Sequence, residues 1–234
     1  MSARHTLSTA TIAAAAMVMA LAVPRSALAV TIDQIDTFED GTTQDWVVGP
    51  GGHPAPPINV PTDGPTGAGD HFLQLTAVGG FGAGSRLTVI NDTQWAGDYL
   101  AAGVTGIEMD VKNLGDSTLA LRVLFQDPPG AAPVNIAVST AAIALPAGSG
   151  WIHVVFPIAA SDLTATPGSV DAALTNATEV RIFHGTTANF PGDLIVAQLG
   201  VDNIRAVPEP DAAIGIALAI GALAVTRLRA SPPG

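Results

Sequence analysis

Short stretches of alternating apolar and polar residues dominate the chain between residues 30 and 206. In each stretch apolar side chains recur at every second position or run without interruption over the length of a strand, as in β-strands that bury one face or both. The pattern predicts strands over 72–76, 86–90, 107–111, 119–125, 151–156, 180–183 and 194–199. Helical periodicity is confined to two short segments, 96–102 and 161–174. The region is therefore predicted to be all-β.

The connections between the predicted strands narrow the fold class. They are clusters of Gly, Pro, Asp and Asn, which are typical of tight turns, and they recur at nearly regular spacing. Many short strands separated by such turns favour an antiparallel β-sandwich. The sequence has no internal repeat of fixed period, which argues against a propeller or a solenoid. The order of the elements favours a jelly-roll.

The first and last segments of this region carry a family resemblance. The region opens with Ile-Asp-Thr-Phe-Glu-Asp-Gly at 35–41, followed by Trp46, and closes with Ala-Gln-Leu-Gly-Val-Asp-Asn-Ile at 197–204. This pair resembles the opening and closing strands of carbohydrate-binding-module and galactose-binding-like jelly-rolls. The resemblance implies that the first and last strands lie side by side, with a structural calcium ion at the rim of the sandwich.

The N-terminal segment has the order of a secretory signal. Arg4 and His5 precede an apolar run at 11–23, and the run is followed by the small-x-small sequence Ala-Leu-Ala that ends at Ala29. This order predicts a signal helix that the general secretion machinery recognises and that is removed after Ala29. Residues 1–29 are therefore predicted to lie outside the folded domain.

The C-terminal segment, residues 207–234, combines a rigid break, a short apolar helix and arginines. Pro208, Glu209 and Pro210 interrupt regular structure, an apolar helix is predicted over 212–226, and Arg227 and Arg229 follow. The helix is shorter than the ~20 residues of a full membrane span, and the arginines favour a cytoplasmic position for its end. The weak span suits a transient anchor in the inner membrane.

This tail resembles the PEP-CTERM sorting signal of Gram-negative bacteria. The resemblance implies recognition and cleavage near Pro-Glu-Pro by an exosortase-type membrane protease. It also implies delivery to the cell surface or the extracellular space, in the setting of exopolysaccharide and biofilm matrix. An ordinary tail anchor that stays uncleaved is the alternative.

Charge and composition exclude several classes of function. Residues 30–206 contain five basic side chains against 18 acidic ones, and the whole chain has a net charge of −11. Without clustered Lys and Arg to neutralise phosphates, nucleic acid is not an expected partner. The chain has no cysteine, which excludes disulfides, thiolate metal sites and cysteine nucleophiles.

Three acidic residues at strand ends are the candidate ligands of one structural calcium ion. Calcium prefers carboxylate and carbonyl oxygens, and the jelly-roll topology would bring Asp36, Glu39 and Asp202 together. Asp40 and Asp45 lie close enough in sequence to serve instead. The alternative is a turn with solvated carboxylates, in which Asp202 bonds its own backbone.

Aromatic residues offer a weaker candidate for glycan contact. Trp95 and Tyr99 are four residues apart, which places both rings on one side of a helical turn, whereas Trp46 and Trp151 are predicted to be core residues. Packing is the favoured interpretation of Trp95 and Tyr99 as well, since bulky rings are more often buried than presented.

No catalytic constellation is evident in the sequence, because the histidines are scattered singly and no Gly-x-Ser-x-Gly elbow occurs. We therefore expect a non-catalytic, exported β-sandwich that binds glycan or calcium. A secreted carbohydrate-active enzyme, or an accessory domain of a hydrolase, is the alternative.

Overall fold

The computed structural model describes residues 30–49, 53–81, 85–129 and 132–208, and these form a sandwich of two antiparallel β-sheets. The predicted signal segment with Ala29, the residues Glu209 and Pro210, the apolar helix at 212–226 and the arginines Arg227 and Arg229 lie outside the described residues. Within the described ranges, no helix is long and apolar enough to cross a membrane.

The first sheet, sheet A, has six strands, with β12 at its centre. Its order is β2-β3-β12-β5-β9, and β1 pairs with the far end of β12. The strands are β1 (Ile35–Asp36), β2 (Ile58–Val60), β3 (Phe72–Val78), β5 (Gly106–Asn113), β9 (Ile152–Pro157) and β12 (Val196–Val207).

The second sheet, sheet B, also has six strands. Its order is β10-β7-β6-β11-β4, and β8 pairs with β6. The strands are β4 (Thr88–Asn91), β6 (Leu119–Asp127), β7 (Asn135–Ser139), β8 (Ile143–Leu145), β10 (Leu163–Ala165) and β11 (Glu179–His184).

Alternation along the strands builds the core between the sheets. In β5, Ile107, Met109 and Val111 are buried in the main apolar cluster, whereas Glu108 and Asp110 lie on the opposite face. In β6 the alternate residues Leu119, Leu121, Val123 and Phe125 enter the same cluster. Because side chains of a strand point alternately to its two faces, this two-residue period fills one core from both sheets.

The opening and closing strands lie side by side, as the sequence predicts. Ile35 pairs with Arg205 and Asp36 with Ile204, in antiparallel register. The backbone amide of Asp33 also donates to the carbonyl of Ala206 at 2.8 Å. The domain therefore begins and ends at the same place in sheet A.

Helical structure is short, as expected. Helix α1 (Tyr99–Ala102) is capped by Asp98, whose side chain accepts from the amide of Ala101, and α2 (Val170–Thr175) is capped by Ser169 in the same way. The segment predicted as helical at 161–174 is in fact split into a 3₁₀ turn (Ala160–Asp162), strand β10 and α2.

Candidate functional site

The outer face of sheet B, which points away from the core, carries a second apolar cluster. It consists of Leu124 of β6, Ile136 and Val138 of β7, and Phe183 of β11. Ala188 and Phe190 pack against it from the segment that connects β11 with β12. Residues 185–193, here called the covering segment, therefore lie over part of this face.

Arg122 holds the covering segment in place from within β6. Its Nε donates to the carbonyl of Gly185 at 2.8 Å, and its Nη2 donates to the carbonyl of Thr186 at 3.2 Å. Its Nη1 donates to the carbonyls of Ser139 and Thr140 at 2.6 and 2.9 Å. Arg122 is buried, so a fixed guanidinium joins the segment to the end of β7.

The covering segment also depends on a glycine. Gly192 has a φ of +82°, and a Cβ at this position would lie 2.3 Å from the carbonyl oxygen of His184. Only glycine accepts both this backbone conformation and this approach. Next to it, the carboxylate of Asp193 accepts from the amide and the hydroxyl of Thr186, both at 2.6 Å. These bonds lower the pKa of Asp193.

A cleft with a volume of about 210 Å³ opens beside the covering segment. Aromatic rings, guanidinium groups and a hydroxyl line it together, and its residues are Val48, Phe81, Arg86, Thr88, Arg181, Phe190 and Pro191. Phe81 is 84% exposed, so its ring is available to a ligand at the mouth of the cleft. Aromatic faces combined with a few polar donors are suited to binding a small polar molecule.

An ion pair and a stacked ring shape the inner wall of the cleft. The guanidinium carbon of Arg181 lies 4.6 Å from the centroid of Phe190, and its Nε forms an ion pair with the carboxylate of Glu179. Burial raises the pKa of Glu179, and the adjacent guanidinium opposes that rise. The pair fixes the orientation of Arg181 beneath the Phe190 ring.

Asp36, a predicted calcium ligand, lies at the end of β1 and accepts hydrogen bonds from neighbouring side chains. Its Oδ2 accepts from the indole nitrogens of Trp46 and Trp95 at 2.7 and 2.6 Å, and from Gln94 Nε2 at 3.2 Å. Burial raises the pKa of Asp36, while the two indoles and Gln94 act against the rise. The carboxylate thus serves as a buried acceptor between two tryptophans.

Asp202 and Glu39, in contrast, belong to one group of acidic side chains. Burial, together with the charges of Asp70, Asp110 and Glu39, raises the pKa of Asp202 to about 7. Asn203 bridges part of this group, because its Nδ2 donates to Asp110 at 2.8 Å and its backbone amide donates to Asp202 at 2.7 Å. Within the described ranges, no three His, Asp or Glu side chains form a ready set of metal ligands.

The other predicted ligands, Asp40 and Asp45, also take part in local turn structure. Asp40 accepts from the amide and the hydroxyl of Thr42 at 2.9 Å each, and these bonds lower its pKa. Asp45 has a positive φ of 60°. Asp40 therefore stabilises the turn after β1, consistent with the alternative of a solvated turn.

The aromatic candidates Trp95 and Tyr99 are both fully buried. The hydroxyl of Tyr99 donates to the carbonyl of Trp95 at 2.8 Å, so even its polar end faces the protein. Trp46 is buried as predicted, but the prediction that Trp151 is a core residue is wrong. Trp151 lies on the outer face of sheet A, where its ring meets Phe72 edge-on at 5.3 Å.

The cleft on sheet B was not predicted from the sequence. Phe81 and Phe190 stand in loops without a recognisable motif, and the strand pattern does not reveal which face a loop covers. The sequence did contain one signal for this site. Residues 30–206 have only five basic residues, and three of the five are Arg86, Arg122 and Arg181. The structure places all three on the outer side of sheet B.

No protein-family model matches the chain, and no curated protein matches it in sequence. Solved structures do match in fold. One is described as a structural analysis of an exo-β-agarase, with 15% identity and a TM-score of 0.51. The match covers 77% of this chain and 25% of the agarase chain, so it concerns one part of a larger enzyme.

A second match is a family 11 carbohydrate-binding module from Clostridium thermocellum in complex with a β-1,3-1,4-mixed-linked tetrasaccharide. Identity is 16%, the TM-score is 0.48, and the match covers 77% of this chain and 97% of the module. The agarase match, with the higher TM-score, supports the two-sheet sandwich as the fold of this chain.

Proposed function

We propose that the chain is a non-catalytic glycan-binding domain whose site is the cleft on the outer face of sheet B. The observation that carries the proposal is the exposed Phe81 ring at the mouth of a cleft whose wall is Phe190 stacked on Arg181. A sugar ring presents apolar C–H groups on its faces and hydroxyls at its edge. Aromatic faces pack against the former, and guanidinium groups donate hydrogen bonds to the oxygens of the latter.

The fold agrees with this proposal without establishing it. One structural match is described as an exo-β-agarase, and the other is a carbohydrate-binding module in complex with a tetrasaccharide. One fold serves many functions, so the argument for this chain rests on the cleft. The size of the cleft suits a single sugar unit and its immediate neighbours, which points to one unit within a longer chain.

The exported setting is part of the proposal and rests on the sequence. We propose that the secretion machinery exports the chain and that the tail anchors it briefly in the inner membrane. An exosortase-type protease then cleaves near Pro208, and the domain acts at the cell surface or outside the cell. Exopolysaccharide is then the glycan that the exported domain would encounter.

We also propose that a structural calcium ion, expected from the sequence, would be held near Asp202 and not at Asp36. Oδ2 of Asp36 already accepts three hydrogen bonds from neighbouring side chains. Asp202 is buried, and besides burial the charges of Asp70, Asp110 and Glu39 raise its pKa, so a divalent cation would relieve this repulsion.

Truncation of Phe81 tests the glycan site. Phe81→Ala removes an exposed ring and should leave the melting temperature unchanged, but it should weaken binding on a polysaccharide array about tenfold, in line with the value of one aromatic contact. Val196→Ala, an exposed apolar residue of sheet A, is the matched control and should bind normally. Equal binding by both variants would place the glycan elsewhere.

A further inference from the structure

Positive charge is concentrated at the cleft although the domain is acidic. The five basic side chains of residues 30–206 are Arg86, Lys112, Arg122, Arg181 and Arg205. Arg205 forms ion pairs with Asp33 and Glu108, and Lys112 lies over Trp151 on sheet A. The remaining three are the arginines at the covering segment and the cleft.

These three arginines differ in whether other groups of the protein already bind or neutralise the guanidinium. Arg122 is buried and gives its hydrogen bonds to four backbone carbonyls. Arg181 is neutralised by its ion pair with Glu179. Arg86 lines the cleft and donates through Nη1 to the carbonyl of Gly192. None of the ion pairs among the described residues involves Arg86.

Asp193 interacts electrostatically with Arg86, but among the described residues the two form no ion pair. Oδ2 of Asp193 accepts two hydrogen bonds from Thr186. The carbonyl of Gly192 accepts from Nη1 of the guanidinium, so the bond orients Arg86 without neutralising it. The result is a fixed guanidinium beside two aromatic rings, and a guanidinium matches a carboxylate with two parallel hydrogen bonds.

We infer that the cleft recognises an acidic glycan, and that Arg86 binds the carboxylate of a uronic acid unit while Phe81 and Phe190 contact the sugar ring. This inference rests on the proposed glycan-binding function and adds the class of glycan. The overall acidity of the domain opposes a polyanion only at long range, because salt screens charges beyond about 8 Å at physiological ionic strength.

A matched pair of polysaccharides tests the inference on the unaltered protein. Polygalacturonate and its fully methyl-esterified form share the same backbone and differ in whether the carboxylate is free. The exported protein should bind the free acid at least tenfold more tightly, as measured by affinity electrophoresis at physiological salt. Alginate, a second free uronate polymer, and a neutral galactan extend the comparison.

Variants assign the effect to Arg86. Arg86→Gln should remove the preference for the free acid, so that the variant binds the free acid and the ester equally, and Arg86→Lys should restore part of the preference. Arg205→Gln removes the same charge from sheet A and should keep the preference. Arg86 also donates a hydrogen bond to the carbonyl of Gly192, which belongs to the covering segment. The affinity for the esterified polymer therefore shows whether the cleft of each variant is intact.

The outcomes separate the two proposals. Equal binding of the free acid and the ester, or binding of neutral glycans alone, would overturn the inference and leave the glycan-binding function standing. Binding of none of these polymers or of the polysaccharide array would overturn both. A preference for the free acid that survives Arg86→Gln would overturn the assignment to Arg86.

Discussion

Asp36 is the acceptor that joins two buried tryptophans, and its removal would leave several buried donors without a partner. The indole nitrogens of Trp46 and Trp95 and the side-chain amide of Gln94 all donate to its Oδ2. Buried donors without acceptors cost free energy, and bonds to a charged acceptor are among the stronger ones.

We therefore expect Asp36→Ala to lower the free energy of unfolding by about 3 kcal/mol. Urea denaturation followed by tryptophan fluorescence measures the loss directly, since two of the reporters contact Asp36. Asp116→Ala is the control, because Asp116 is exposed in a loop, and its removal should change stability by less than about 0.5 kcal/mol. A loss no larger than in the control would contradict the role of Asp36.

Asp202 makes stability depend on pH. Its pKa is about 7 in the folded protein against an ordinary value of 3.8, so folding favours the protonated carboxyl. Its neighbours are Glu39, Asp70 and Asp110, and His153 contacts Asp110 from β9 at 3.1 Å. The stability linked to Asp202 is present at low pH and is lost as pH rises through about 7.

Asp202→Asn should therefore raise the melting temperature in the presence of a chelator. The gain should grow between about pH 4 and pH 7 and level off above that, because the amide has no charge to bury. In the unaltered protein, calcium should raise the melting temperature at pH 8 if the cation lies near Asp202. A gain that is the same at every pH would show that the carboxyl is not perturbed by burial.

For single residues, the sequence predicted which side chains are buried better than it predicted which side chains contact one another. It placed Trp46 in the core because its neighbours are apolar, and it favoured the core for Trp95 because bulky rings are more often buried than presented. It did not show that Asp36 lies between them, since the partners are 10 and 59 residues away along the chain. Trp151 directly precedes β9, an edge strand of sheet A with one face open to solvent.

Among the structural elements, the covering segment at 185–193 depends most on one side chain. Arg122 bonds four carbonyls that belong to this segment and to the end of β7. The guanidinium therefore joins the segment to β7 in the way a short strand would.

Arg122→Met keeps the length of the side chain but removes all four bonds, and we expect it to lower the free energy of unfolding by about 3 kcal/mol. Amide hydrogen exchange at residues 186–190 should accelerate more than exchange in β5. Glycan binding should weaken because Phe190 and Pro191 form a wall of the cleft. Arg205→Met, at a surface ion pair, should cost much less. Unchanged exchange at 186–190 would contradict this role.

The two-residue period identified the long strands of both sheets, including β3, β5, β6, β9 and β11. It missed β2, β7, β8 and β10 as separate elements, and β1 was predicted from the family resemblance of residues 35–41 and not from the period. Most of these are two or three residues long, so alternation has too few positions to be recognised. Their pairing is decided by partners distant in sequence, such as Val138 of β7 opposite Leu124 of β6.

For the molecule as a whole, both ends of the domain leave sheet A at one place. The amide of Val30 donates to the carbonyl of Ala96 at 3.1 Å, and the amide of Thr105 donates to the carbonyl of Val207 at 2.9 Å. The described residues begin at Val30, directly after the predicted cleavage at Ala29, and β12 ends at Val207, directly before Pro208.

Processing at both predicted sites should therefore leave the domain intact. Mass spectrometry of the protein from its native host should find an N-terminus at Val30 and a C-terminus between residues 207 and 210. The processed protein should melt at the same temperature as the unprocessed one, because no described contact is lost. A C-terminus that still contains Arg227 and Arg229 would favour a permanent tail anchor.

The central position of β12 also determines how the domain would respond to mechanical load. Any tether at the C-terminal end pulls on a 12-residue strand that is bonded to β3 on one side and to β5 on the other, and to β1 near its end. A pull along this strand loads those hydrogen bonds in shear, all at once, instead of opening them one by one. A domain that binds a polymer through sheet B and is tethered by this strand would therefore resist detachment by fluid flow.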